Sequence, residues 1–183
     1  MKATGIVRRI DDLGRIVIPK EIRRTMRIRE GDPLEIFTDR EGEVILKKYS
    51  PINELSEFAT EYSESLYESI GFDCIITDRD TSIAAAGASK KDYLNKRISS
   101  DLEAIIEKKE IYNSFESGKV IRISVEEVDV DEYASQVIVP VISHGDSIGA
   151  LILMSKEKDG NIDELEIKVA QTAANFLAKQ MEN

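Results

Sequence analysis

The chain has 183 residues, 42% of them hydrophobic, with a formal net charge of -10, one cysteine, one histidine and no tryptophan. Such a composition can bury a core, so a disordered chain is excluded, and no apolar run reaches the ~18 residues of a membrane span. The start "MKATGIVRRI" lacks the apolar centre of a signal peptide, and a lone Cys74 forms no intrachain disulfide, so a cytoplasmic protein is expected.

Gly5–Ile10 reads as a strand, "DDLG" at 11–14 as a tight turn, and Arg15–Ile18 as a second strand of β-favouring residues. Pro19 suits the first turn of a helix over about 20–27. Leu34–Thr38 and Glu43–Lys47 flank "DREG" as a hairpin, which completes a β-β-α-β-β unit in residues 1–50. A unit of that size without disulfide or metal is marginal alone, so a partner chain is expected to complete it. Residues 51–53, within "YSPIN", read as a linker whose Asn53 caps the next helix. In residues 54–183, Leu55, Phe58, Ala59, Tyr62 and Leu66 recur at helical spacing up to Gly71. "DCIITDRD" and "TSIAAAG" then read as strands, and about 90–110 as a helical pair. "KVIRISV", "SQVIVPVI" and "SIGALILMS" are three further strands, the last two joined by a tight turn at Gly145-Asp146. A helix over about 162–181 closes the chain with Ala170, Ala173, Ala174, Leu177 and Met181 on one stripe. The expected class is α+β, with a largely antiparallel sheet in the second domain.

Charge is distributed unevenly along this organisation. Residues 1–50 carry twelve Lys/Arg against nine Asp/Glu, and residues 1–29 carry nine against three, so the -10 total leaves -13 on residues 51–183. Lys20, Arg23, Arg24 and Arg27 fall at i, i+3, i+4 and i+7, one stripe of the predicted helix, with Ile22 and Met26 opposite and facing the core. Arg8, Arg9 and Arg15 on the adjoining strands extend the same surface. A charged stripe is ordinarily a solvated face. Here Glu21 is the only acid between Arg15 and Arg29, so i,i+4 neutralisation is largely missing, and a polyanion such as double-stranded DNA is the better explanation.

"TGIVRRIDDLGRIVIPKEIRR", followed by "GDPLEIF" and "VILKKY", resembles the AbrB family of bacterial transition-state regulators over residues 1–50. The resemblance implies two chains interleaved as swapped hairpins in one DNA-binding β-barrel. It implies DNA contacts on Arg8, Arg15, Arg23 and Arg24, which are among the residues that charge selects. "SKKDYLNKRIS", "IGALIL" and the chain length are similar to sporulation regulators that join such a barrel to a GAF-like sensory domain. That likeness implies a forespore setting in which genes are activated or repressed; a homodimer is expected through the first domain, and the helix stripes at Leu55, Phe58, Tyr62 and Leu66 and at Ala170, Ala173, Ala174, Leu177 and Met181 are expected to pair dimers into a homotetramer. GAF domains commonly hold a small molecule over one sheet face, yet no cyclic-nucleotide signature or chromophore cysteine is present, so no ligand is named.

Other motifs are weaker. Cys74 and His144 are the elements of a nucleophile and base, but one lies in a strand and the other in a turn, so no enzyme is expected. "GASKKD" lacks the second glycine of a phosphate loop, leaving Ser89, Lys90 and Lys91 as candidates for an anion at a helix start. "EEVDVDEY" lacks the glycine and distal glutamate of a calcium loop, and "GDSIG" lies inside the predicted hairpin. No cofactor or metal is expected. The competing class is an antitoxin, which uses the same barrel but carries a short tail that folds on a toxin.

Overall fold

The structure is a computed structural model that describes residues 4–87, 90–126, 132–157 and 162–182. The chain forms two compact units, Met1–Tyr49 and Ser50–Asn183.

In the first unit, residues 5–18 form no strand. Their expected turn is nonetheless closed: the Asp11 N–H donates to the Arg15 carbonyl at 3.1 Å, and the Gly14 N–H to the Asp11 carbonyl at 3.1 Å. A β-favouring sequence becomes a strand only when a second backbone completes its ladder, and a single copy offers these residues none. Helix α1 spans Lys20–Thr25, two residues shorter than expected, and buries none of its side chains. Ile22 is half-buried and Met26 is exposed, so Met26 does not face a core within one copy. Strands β1 (Leu34–Thr38) and β2 (Val44–Lys48) pair antiparallel, with Ile36 opposite Leu46. Among the described residues 4–49, Pro19 alone is buried.

The expected linker is part of the second unit. Pro51–Leu55 is a short 3-10 helix with Ile52 fully buried, and Asn53 makes no side-chain cap. Helix α2 (Ser56–Ile70) follows and stops at Gly71, whose φ of 75° is left-handed. Five antiparallel strands form one sheet in the order β4-β3-β7-β6-β5: β3 (Asp73–Thr77), β4 (Ser82–Ala86), β5 (Tyr112–Asn113), β6 (Ser135–Ser143) and β7 (Asp146–Ser155). Helices α3 (Lys90–Tyr93), α4 (Ser100–Lys108) and α5 (Ser114–Ser117) lie between β4 and β6 in the chain, and α6 (Glu164–Gln180) closes it.

The period of two along each strand splits the core in half. Cys74, Ile76, Val137, Val139, Leu151 and Leu153 pack with Ala59, Ala170, Ala173, Ala174 and Leu177 of α2 and α6. Ile75, Ile138, Ile152 and Met154 pack on the other face with Tyr93, Leu102 and Ile106 of α3 and α4. The β6–β7 turn centres on His144 and Gly145, with φ of 49° and 87°, one residue earlier than expected. Two positive φ values are what a two-residue hairpin of this hand demands.

In "KVIRISV" Ile121, Ile123 and Ser124 are buried without forming a regular strand; among the described residues its one bridge joins Ser124 to Ile98. The fully buried Gln136 side chain supplies part of that segment's pairing. Its Oε1 accepts from the Ile121 N–H at 3.0 Å, and its Nε2 donates to the Ile121 carbonyl at 3.1 Å. One side-chain amide thus serves Ile121, while the Ser99 N–H donates to the Ile123 carbonyl at 2.8 Å and the Val125 N–H to the Arg97 carbonyl at 3.0 Å.

Candidate nucleic-acid interface

Three of the sequence-selected cations share helix α1. Lys20, Arg23 and Arg24 are exposed, and among the described residues none of them makes an ion pair. Arg23 and Arg24 lie in the last turn, where the helix dipole favours positive charge.

Arg27 does not extend the stripe. The helix ends at Met26, and Arg27 takes the left-handed position beyond it with φ of 52°. The Ile28 N–H donates to the Arg23 carbonyl at 2.8 Å and the Arg27 N–H to the Arg24 carbonyl at 3.3 Å. This is a Schellman cap with arginine where glycine is usual. Lys48 Nζ donates to the Arg27 carbonyl at 3.0 Å and lies 3.4 Å from Asp32 Oδ2, and that same carboxylate oxygen accepts the Arg29 N–H at 2.8 Å. Asp32 and Lys48 therefore fix how the chain leaves the basic helix, although charge counting gives them no role.

Arg8, Arg9 and Arg15 precede the helix and are exposed. Arg15 alone among these three has an acidic partner among the described residues: its Nε donates to Asp11 Oδ2 at 2.7 Å. Asp11 Oδ1 accepts the Leu13 N–H at 3.0 Å and the Arg15 N–H at 2.8 Å. Hydrogen bonds from the Arg15 backbone and side chain hold the Asp11 carboxyl below its ordinary range. The "DDLG" turn is legible in sequence; that its first aspartate grips Arg15 is not.

The second unit offers less chemistry. Ser89 lies outside the described residues, as does most of the "EEVDVDEY" loop. Lys90 is tied to Glu64 at 2.8 Å, and the four-residue α3 is too short to provide a strong helix terminus. Lys91 is exposed. Cys74 is buried, and burial, followed by the charge of Asp73, pushes its thiol up to about 12. A thiol that stays protonated is no nucleophile at neutral pH, and His144 sits in the exposed turn. A cavity of about 270 Å³ is lined by Asn113, Ser114, Phe115, Lys119, Val120 and Ser135, among others. Its Asn113 Oδ1 accepts the Phe115 N–H at 3.0 Å and its Ser114 Oγ the Gln136 N–H at 2.8 Å, so these groups serve the fold. Among the described residues no His/Cys/Asp/Glu group is arranged for a metal, and no helix is long and apolar enough to cross a membrane.

The family model "Stage V sporulation protein T C-terminal, transcription factor" matches residues 54–182, and "Antidote-toxin recognition MazE, bacterial antitoxin" matches residues 7–54. The chain is 56% identical over 182 residues to "Stage V sporulation protein T" of Bacillus subtilis (strain 168), covering 100% of this chain and 99% of that protein. It is 63% identical over 51 residues to "Transition state regulatory protein AbrB" of the same organism, covering 28% of this chain and 52% of that one. The GAF domain of Acinetobacter phosphoenolpyruvate-protein phosphotransferase shares the fold of the second unit, with a TM-score of 0.56 at 15% identity over 72% of this chain and 88% of the other. An AbrB-type DNA-recognition domain and a GAF-like domain are thus joined in one non-enzymatic chain, which belongs to the stage V sporulation protein T family of transcription factors.

Proposed function

We propose that residues 1–50 bind double-stranded DNA as an interleaved homodimer, with Arg8, Arg9, Arg15, Lys20, Arg23, Arg24 and Arg27 forming its cationic surface. The observation that carries the DNA contact is the exposure of Lys20, Arg23 and Arg24 without an ion pair among the described residues. Like charges a turn apart repel, and phosphates relieve that repulsion while releasing counterions. Arginines without Asn or Gln beside them on α1 favour recognition of backbone and groove width over base edges.

The missing core of the first unit supports the dimer. Val7 is 87% exposed and Val17 75%, with Ile6, Ile10, Leu13 and Ile16 also open. A second copy supplies both the ladder partner and the apolar cover that one chain lacks. The GAF-like domain, in this reading, pairs dimers into tetramers or responds to a small molecule, within the cytoplasm of the forespore. An antitoxin would need a tail that folds on its toxin; residues 50–183 instead hold a sheet with a packed core on each face.

Replacing Arg23 or Arg24 with Ala is expected to weaken binding to most sequences. Each lost phosphate contact lowers the salt slope by ~1, hence ~2 per dimer. Titrations from low to moderate salt measure this, and unchanged affinity and slope would return the helix to a merely solvated face.

A further inference from the structure

Among the described residues, Arg15 differs from the other exposed arginines of the first unit in being held by an acidic side chain. Its side chain is 70% exposed, and an ion pair so open to solvent contributes little to stability. The geometry around it is nonetheless tightly defined. Asp11 closes the turn with its own N–H and carbonyl, and its Oδ1 is engaged by two backbone N–H groups. The carboxylate is thereby fixed, with Oδ2 left to take Arg15 Nε at 2.7 Å. Among the described residues, the Nη1 and Nη2 groups of Arg15 have no partner. That outer fork is the part of arginine that bridges phosphates, enters a narrow minor groove or grips a guanine edge.

From this arrangement we infer that Asp11 is a positioning residue for DNA recognition: it holds Arg15 by Nε in the free protein and presents the Nη fork outward. The inference rests on the proposed DNA contact of Arg15. An unrestrained arginine loses several rotamers on binding, and a partner that orders it beforehand removes that cost. A carboxylate placed close to phosphates would otherwise oppose binding, so the opposite role, Asp11 as a competitor for Arg15, is the outcome to be set against this one. The two differ in sign. A positioning carboxylate raises discrimination between sequences; a competing one lowers all affinity alike.

The test uses the intact protein carrying Asp11→Asn, Arg15→Ala or both. Two duplexes of equal length are compared, one enriched by the wild-type protein from a random-sequence pool and one of random sequence. Asparagine keeps the carbonyl acceptor for the Leu13 and Arg15 N–H groups but offers Nε no carboxylate. Asp11→Asn is expected to leave affinity for random DNA unchanged or raised, since a negative charge is lost. The ratio between the two duplexes should fall about tenfold, the low end of what a well-made arginine contact contributes. In the Arg15→Ala background the same change should lower the ratio no further. Equal affinity of Arg15→Ala and wild type for both duplexes would overturn the DNA contact itself. A weakened Arg15→Ala beside an Asp11→Asn whose ratio holds or rises would overturn the positioning role alone, as would losses that simply add in the double variant. Should Asp11→Asn melt early, Asp11→Ser, whose hydroxyl can still accept a turn N–H, takes its place, and a parallel loss on both duplexes in a folded Ser variant would also overturn the role.

Discussion

Arg27 occupies a backbone position that disfavours any residue with a Cβ, at a cost of roughly 1–2 kcal/mol. Glycine would meet the Schellman geometry more cheaply, so the arginine is best explained by what its side chain does outside the fold. Arg27→Gly is expected to change stability by less than ~1 kcal/mol, because relief of strain offsets the added freedom of the unfolded chain. DNA affinity should nevertheless fall; a drop in stability without a drop in affinity, measured by melting and titration together, would make Arg27 structural. Cys74 is expected to react with thiol reagents at pH 8 about 10³-fold more slowly than in the unfolded chain, since its thiol is raised from 9.0 to about 12. The linkage has a definite sign. The unfolded thiol ionises from about pH 9 while the native one does not, so its contribution to stability is intact below pH 9 and lost as pH rises toward 12. Wild type should therefore lose stability more steeply over that window than Cys74→Ala. Gly149 makes a contrasting case: a Cβ there would collide with the Thr77 backbone carbonyl, whereas one at Gly118 meets open space and only a φ of 74°. Gly149→Ala is expected to destabilise by about 3 kcal/mol or more through forced backbone movement, and Gly118→Ala by ~1 kcal/mol.

Among the elements, those built from local signals alone were legible in sequence. The bounds of β1 match the expectation residue for residue, α2 stops at Gly71, and β6 and β7 meet at a two-residue turn. Elements that a single copy leaves without a ladder were not. Residues 5–10 and 15–18 have strand chemistry but no ladder in one copy, and nothing local in the sequence says where the partner backbone comes from. Residues 1–49 should therefore unfold at a midpoint that rises with protein concentration, since folding and association are linked. A midpoint independent of concentration, with a monomer mass in sedimentation, would exclude the interleaved barrel. "KVIRISV" fails for the opposite reason: its apolar alternation was legible, but a side chain 15 residues away pairs the Ile121 backbone, while Arg97 and Ser99 pair Arg122, Ile123 and Val125. Gln136→Ala removes both bonds and leaves the Ile121 amide and carbonyl buried, a loss of roughly 2–4 kcal/mol. Hydrogen exchange should then quicken at the Ile121 amide while the β6–β7 amides stay protected; equal quickening of both would mean that Gln136 supports the whole sheet. The two-residue β5 and the four-residue α5 lay below what periodicity can resolve. At the interface, charge chose the arginines, but Asp11, Asp32 and Lys48 act through geometry that counting charges does not see.

For the whole molecule, the outer surface of α2 and α6 bears on assembly. The sequence offers the alanine stripe of α6 for contact with another helix, but Ala170, Ala173 and Ala174 are at most 1% exposed against their own sheet. Its outward face is mostly polar but includes Phe176, 41% exposed, and Leu165, 70% exposed, and the Phe176 ring lies tilted within 6 Å of those of Phe58 and Tyr62. A domain with a net charge of -13 should be repelled by DNA, so by itself it would weaken binding. If this surface joins two dimers, both barrels can engage one duplex, and avidity raises affinity by ~10² to 10⁴ without a new contact. The two effects oppose each other, which makes the outcome decisive. Phe176→Glu should convert a tetramer into a dimer in sedimentation and lower affinity for long DNA, while leaving affinity for a duplex that spans one barrel unchanged. Removing residues 50–183 should have the same direction on long DNA, moderated by loss of the repelling charge. A wild-type protein that sediments as a dimer, with tighter binding to long DNA once the acidic domain is removed, would show that this aromatic surface serves the domain itself and that assembly stops at the barrel.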